Sequence, residues 1–176
     1  SLAVQIAATA ALSGHSVGII SCEMSKERIA EKILISEGRI DGQRMRLGLK
    51  RADDWERLSE AASMMAKTKL YIDYSPSPTI PELRSRCIRL KAQKGLDLVI
   101  IDYLQLLQAH RRGETRALEL GSISAGLKAL AKELSIPVIA LSQLSREVEH
   151  RANKRPVLAD LRESGSLEQD ADMVIF

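Results

Sequence analysis

Aromatic side chains are scarce: Trp55, Tyr71, Tyr74, Tyr103 and Phe176 are the whole supply in 176 residues. That disfavours a surface gripping single strands by stacking base after base on rings, so a nucleic-acid partner would have to be held by its backbone. Cysteine is scarcer still. Cys22 and Cys87 lie far apart without C-x-x-C spacing, which argues against a disulfide framework or a cysteine zinc site and fits a reducing compartment. The apolar run Leu2–Leu12 is too short to cross a bilayer and has no basic flank, so neither anchor nor signal peptide is supported. His15, His110 and His150 have no mutual spacing suited to metal ligation. The phosphate cradle G-x-x-x-x-G-K-[ST] is also missing from the sequence.

What remains is ordinary globular material, 45% hydrophobic and 28% charged, with a mean hydropathy of −0.10. The length suits one α/β domain that buries a core without staples. A net charge of +3 allows a polyanionic partner without demanding one. Both ends read as cut, since the chain opens inside an apolar helix and closes on Asp172–Phe176, a predicted strand with nothing after it.

Between those ends, short apolar runs alternate with helical patterns. Val17–Cys22 is rich in β-branched residues and reads as a strand, followed by a helix capped by Ser25 and closed by Gly38. A short helical piece around Gln43 and an amphipathic helix over 52–67 lead to a strand at Leu70–Asp73. Thr79 caps the next helix, with Pro81 in its first turn. Its inward stripe is Ile80, Leu83, Cys87 and Leu90, and Arg84, Arg86, Arg89, Lys91 and Lys94 make its outer surface basic. Leu98–Ile101 ending in Asp102 is the clearest strand. Leu120, Ile123, Leu127, Leu130 and Leu134 mark a long helix, and Pro137–Ser142 a further strand. Continuous apolar strands alternating with amphipathic helices predict an α/β fold with a mostly parallel sheet and helices on both faces.

In such sheets ligands bind beyond the carboxyl ends of the strands. Three strands deliver polar residues there: Glu23, Asp102 and Gln143. A carboxylate fixed by a rigid strand suits Mg²⁺ beside a bound triphosphate, a second suits accepting a proton from attacking water, and an amide suits sensing the γ-phosphate. Each also has a plainer reading. A strand-end Asp caps turns, Glu23 favours the dipole of the helix after it, and Gln143 bonds turn backbone. The basic segments His110–Arg112 with Arg116, and Arg151 with Lys154 and Arg155, fit solvated loops as well as a phosphate contact.

Longer blocks then carry a resemblance. Ser21-Cys22-Glu23-Met24-Ser25, Ile101-Asp102-Tyr103-Leu104-Gln105-Leu106, Leu127-Lys128-Ala129-Leu130-Ala131, Leu141-Ser142-Gln143-Leu144-Ser145-Arg146 and, most specifically, Lys154-Arg155-Pro156 with Asp160–Asp172 resemble the replicative hexameric DNA helicases of bacteria and phages, the DnaB family. The resemblance covers essentially the whole chain. It implies a RecA-like P-loop NTPase core, cytoplasmic, closing into a homo-hexamer that hydrolyses ATP with Mg²⁺ and moves single-stranded DNA through its centre. It also implies primase and helicase-loader partners met through other parts of the full protein, and no membrane.

Position by position, the resemblance makes Glu23 the base for the attacking water, Asp102 the Walker B carboxylate serving Mg²⁺, and Gln143 the γ-phosphate sensor. Arg162, Glu163 and Gly165 match the central-channel loop on the DNA backbone. Gly165 would let main-chain N–H groups approach phosphate, and Glu163 would hold a neighbouring loop or basic residue. Residues 1–176 would then be a partial domain starting just after the phosphate-binding loop and ending before the arginine finger, inactive alone. Ala125-Gly126 stand where the family has Arg-Ser, a departure expected to weaken one polar contact. A RecA-fold recombinase-like or regulatory ATPase shares the strand-end logic, but the block from Arg162 to Asp172 counts against it. A non-catalytic fragment that supplies a ring interface is the remaining alternative.

Overall fold

The computed structural model describes residues 2–48, 51–108 and 115–176, with the side chains of Ala52 and of residues 162–165 outside that description. The predicted segment His110–Arg112 therefore lies outside the described residues. Four strands, β1 (Val17–Ser21), β2 (Leu70–Tyr74), β3 (Leu98–Asp102) and β4 (Val138–Ala140), form one parallel sheet in the order β2-β1-β3-β4. Ser21 stands opposite both Tyr74 and Asp102, and Ile101 opposite Ala140, so the carboxyl ends of the strands share one edge.

The period-two alternation of a strand divides the core between two faces. Val17, Ile19, Leu98 and Ile100 pack under α1 (Leu2–Leu12) and α2 (Lys26–Glu37). The alanines Ala3, Ala7, Ala8 and Ala11 are the buried stripe of α1, and their small size lets the helix sit close on the sheet. On the other face Ile20, Cys22, Val99 and Ile101 pack under α5 (Ile80–Lys94) and α6 (Arg116–Leu134). The inward stripe Leu83 and Cys87 of α5 and the leucine series of α6 are buried there as their spacing requires. Three layers with helices on both faces are thus observed.

Local chemistry sets the element ends. Ser25 Oγ accepts the Arg28 N–H at 3.4 Å, and the Gly38 N–H caps the other end of α2. At the start of α5 the Thr79 N–H donates to Glu82 Oε2 at 2.8 Å. Between β1 and β2 lie α3 (Gly42–Arg46) and α4 (Ala52–Met65), joined by the buried Asp54. Its carboxylate takes both 2.9 Å bonds from Arg44 Nη2 and a 2.7 Å bond from the Arg51 N–H. These partners hold Asp54 below the usual carboxylate range, so its contribution to stability is present at neutral pH and lost as pH falls through the lowered value.

Two expectations change. Asp172–Phe176 is not a strand: among the described residues it forms no ladder with another strand, and Met173 and Ile175 are exposed. A β-branched, apolar composition gives a segment strand propensity, but the ladder needs a partner. The outer surface of α5 is also less free than its composition suggests. Arg84 pairs with Glu133, Arg86 with Asp73, and Lys91 bonds the Leu134 carbonyl.

Gly126 is closely packed against the start of α5. A Cβ there would stand 2.8 Å from Ile80 Cγ2 and 3.1 Å from Cγ1, and a β-branched side chain at the start of a helix has little room to yield. Gly126→Ser is therefore expected to lose about 1–2 kcal/mol in urea unfolding, the overpacking outweighing the gain in helix propensity. The loss should disappear in the pair with Ile80→Ala; an unchanged or raised midpoint for the single variant would contradict the close approach.

Candidate active site

The sheet edge after β1, β3 and β4 carries all three strand-end residues. The Cys22 N–H donates to the Asp102 carbonyl at 2.7 Å, extending the β1–β3 ladder one step beyond Ser21. The buried Ser21 hydroxyl then accepts the Met24 N–H at 3.0 Å and turns the chain, leaving Glu23 exposed at the edge. Asp102 is half-buried. Burial and the neighbouring Glu23 carboxylate push its pKa above the usual aspartate value, with Lys32 on α2 pulling the other way. A half-buried carboxylate next to a second, exposed one makes this edge locally negative.

Cys22 borders this pair. Burial, reinforced by Asp102, pushes its thiol up to about 11, and burial does the same for Cys87. The thiolate is the reactive form, so neither cysteine is expected to react with a disulfide reagent in the folded chain at pH 7.5, and both should react once it is unfolded. Stoichiometric labelling of the native chain would contradict this burial.

Gln143 lies three residues past β4. The Leu141 N–H donates to the Ile101 carbonyl and the Leu104 N–H to the Leu141 carbonyl, both at 2.9 Å, so the turns after β3 and β4 run together. In the single 3₁₀ turn Leu104–Leu106, Gln105 reaches across to the backbone of Gln143, whose own side chain is exposed. The Asp102–Tyr103 peptide between strand and turn is cis.

For the channel-loop residues the structure shows the scaffold. The side chains of Arg162, Glu163 and Gly165 lie outside the description; their backbone passes from a 3₁₀ segment, Leu158–Ser164, into α7 (Gly165–Asp170). Leu161 and Leu167 on either side are buried, and Lys128 of α6 pairs with Asp172 at 2.5 Å. Asp160 is buried, accepts the Val157 N–H at 2.8 Å, and pairs with Arg151. Its carbonyl takes the Ser145 N–H at 3.0 Å, tying the segment after Gln143 to the segment before Arg162. Arg151, read from sequence as a basic-loop residue, is thus spent on Asp160. Sequence reasoning also passed over Gln105 and Lys32; the only signal was a polar Gln105 between leucines.

Among the described residues no three His, Cys, Asp or Glu side chains form a closed metal cage. A cleft of about 620 Å³ lies elsewhere, between the end of α1 and α4, and is lined by Leu12, Gly14, Met64, Lys67 and Lys69. It opens near the amino ends of β1 and β2, and none of the three strand-end residues lines it.

A family model described as the DnaB-like helicase C terminal domain matches residues 1–176. The chain belongs to that family. It is 47% identical over 165 residues to a replicative DNA helicase DnaB of Geobacillus stearothermophilus, covering 93% of this chain and 36% of that protein. A replicative DNA helicase DnaC of Bacillus subtilis is likewise 47% identical, over 92% of this chain and 36% of its own length. The chain thus spans about a third of these DnaB-like relatives. A solved DnaB-like replicative helicase, studied for its interactions with primase, superposes with a TM-score of 0.92 at 36% identity over 97% of this chain and 42% of that one. A solved ATPase domain gives 0.91 at the same identity over 97% of this chain and 61% of its own. The RecA-like α/β fold class expected from the sequence is the fold observed.

Proposed function

We propose that these residues are the central part of a helicase motor that hydrolyses ATP and moves along single-stranded DNA. The observation that carries the reading is one sheet edge on which Asp102 ends β3, Glu23 follows the end of the neighbouring strand β1, and an exposed Gln143 follows β4. The fold adds a phosphate-directed dipole. A short connection from Leu12 to Val17 makes α1 run antiparallel to β1, so its positive end faces the edge that holds Asp102.

On this reading Glu23 accepts the proton of the attacking water, and the Gln143 amide donates to the γ-phosphate as charge develops on it. Asp102 would hold the divalent cation: burial and then the Glu23 carboxylate raise its proton affinity, and a hard cation would stabilise its ionised form there. When bound, Mg²⁺ neutralises charge on the β- and γ-phosphates. Residues 1–176 contain no G-x-x-x-x-G-K-[ST] cradle and cover 36% of the relatives' length, so the activity is proposed for a chain of the relatives' full length. There it works as a homo-hexamer with primase and a helicase loader, and Arg162, Glu163 and Gly165 line the DNA path.

Such a chain is expected to displace a labelled strand from a forked duplex with ATP and Mg²⁺ but not with a non-hydrolysable analogue. Its single-strand affinity should fall by an order of magnitude or more between 50 and 200 mM salt, because backbone contacts release counterions. Unwinding without hydrolysis, or affinity indifferent to salt, would contradict the proposal.

A further inference from the structure

We infer that Gln105 is a positioning residue for Gln143, holding its backbone so that only its side-chain amide can move. The inference rests on the proposed role of Gln143 and adds a residue to it. Beyond Ala140 the β3–β4 ladder continues as two backbone bonds, from Leu141 to Ile101 and from Leu104 to Leu141. There the main chain of residues 104–106 turns into a 3₁₀ helix and has no further rung to offer.

Gln105 takes over with its side chain. Its Oε1 accepts the Gln143 N–H at 3.1 Å, while its Nε2 donates to the Gln143 carbonyl at 3.2 Å and to Ser142 Oγ at 2.9 Å. A primary amide carries the same donor and acceptor pair as a peptide group, so it completes one more rung of the ladder. Gln105 is anchored in turn, because Arg116 at the start of α6 donates to its carbonyl at 2.5 Å and pairs with Glu119 at 2.8 Å.

The consequence is kinetic. Both main-chain groups of Gln143 are engaged by Gln105, so its Cα is fixed relative to Asp102 while the side chain stays at the surface. A sensing amide contributes only if it already points where charge develops, and a displacement of about 1 Å costs on the order of a hundredfold in rate. Gln105 would thus act on turnover and little on ground-state nucleotide binding.

The test uses the full-length chain, single-stranded DNA and ATP, with Gln105→Ala, Gln105→Glu, Gln143→Ala and the double Ala variant. Gln105→Glu keeps the acceptor and loses the donor. Both Gln105 variants are expected to lower kcat at least tenfold with KM for ATP within threefold, and the double variant should be no slower than Gln143→Ala alone. Amide hydrogen exchange over residues 141–146 should quicken in Gln105→Ala with the melting temperature nearly unchanged, a readout that needs no activity. Three outcomes overturn the inference: full turnover with unchanged exchange in Gln105→Ala, losses that add in the double variant, or a rise in KM in place of a fall in kcat. Full turnover in Gln143→Ala overturns the sensor reading itself, and faster exchange in Gln105→Ala would still show the strap as a structural contact only. If Gln105→Ala does not fold, Gln105→Glu decides between the same outcomes.

Discussion

Glu23→Gln in the full-length chain is expected to lower ATP turnover by about 10²–10⁴-fold, the range of a lost general base, while nucleotide affinity stays within about threefold. Gln keeps the length and planarity of the side chain and removes only its ability to take a proton. Glu23 is exposed and stands on a turn set by Ser21 and Met24, so the substitution leaves the surrounding bonds intact. Single-turnover hydrolysis and equilibrium binding of a fluorescent nucleotide separate the two effects. Turnover near that of the unaltered chain would remove Glu23 from its role; equal losses of binding and turnover would make it a binding residue.

Asp102→Asn should have opposite effects on activity and on stability. Turnover is expected to fall at least a hundredfold, and nucleotide affinity should weaken with Mg²⁺ present but not in EDTA, because the Asn amide is a poor ligand for a hard cation. Stability moves the other way. The folded chain raises the pKa of Asp102, so the ionised carboxylate disfavours folding, and that cost grows as pH rises from the ordinary aspartate value through the raised one. Asn cannot ionise, so the variant should melt at the same or a higher temperature at pH 7, with any gain vanishing below the ordinary value. Thermal unfolding at several pH values reads this without activity. A lower melting temperature at pH 7 would mean that Asp102 holds the edge together.

The layers and the chemical edge were legible for a common reason, which is that both are written in local patterns. Apolar runs such as Leu98–Ile101 and the leucine series from Leu120 to Leu134 report period two and period 3.6 directly, and in a parallel sheet every strand ends on one side. Glu23, Asp102 and Gln143 could be named from that rule before their neighbours were known. Contacts between distant segments were not legible. Gln105 meets Gln143 across two turns, 38 residues apart, and Arg151 meets a buried Asp160 that reads locally as one polar residue among many. Gly126 shows the same limit, because its neighbour Ile80 belongs to another helix. Asp172–Phe176 failed for the converse reason: strand composition is local, but a strand exists only beside another strand.

The Asp54 cluster differs in kind from the sheet edge. Its carboxylate is satisfied by Arg44 and the Arg51 N–H and its pKa is lowered, which is the mark of a carboxylate committed to structure. Asp102 has its pKa raised by burial and by the neighbouring Glu23 carboxylate, as the proposed reading expects of a group that meets a ligand.

Steady-state ATP hydrolysis by the full-length chain, with and without single-stranded DNA, tests the central claim most directly. A motor in which the Glu23, Asp102 and Gln143 edge answers to the DNA path should turn over several-fold faster with DNA, and lose that stimulation in Glu23→Gln. A folded chain that binds DNA yet hydrolyses no ATP, or hydrolyses it at the same rate with and without DNA, would contradict the account.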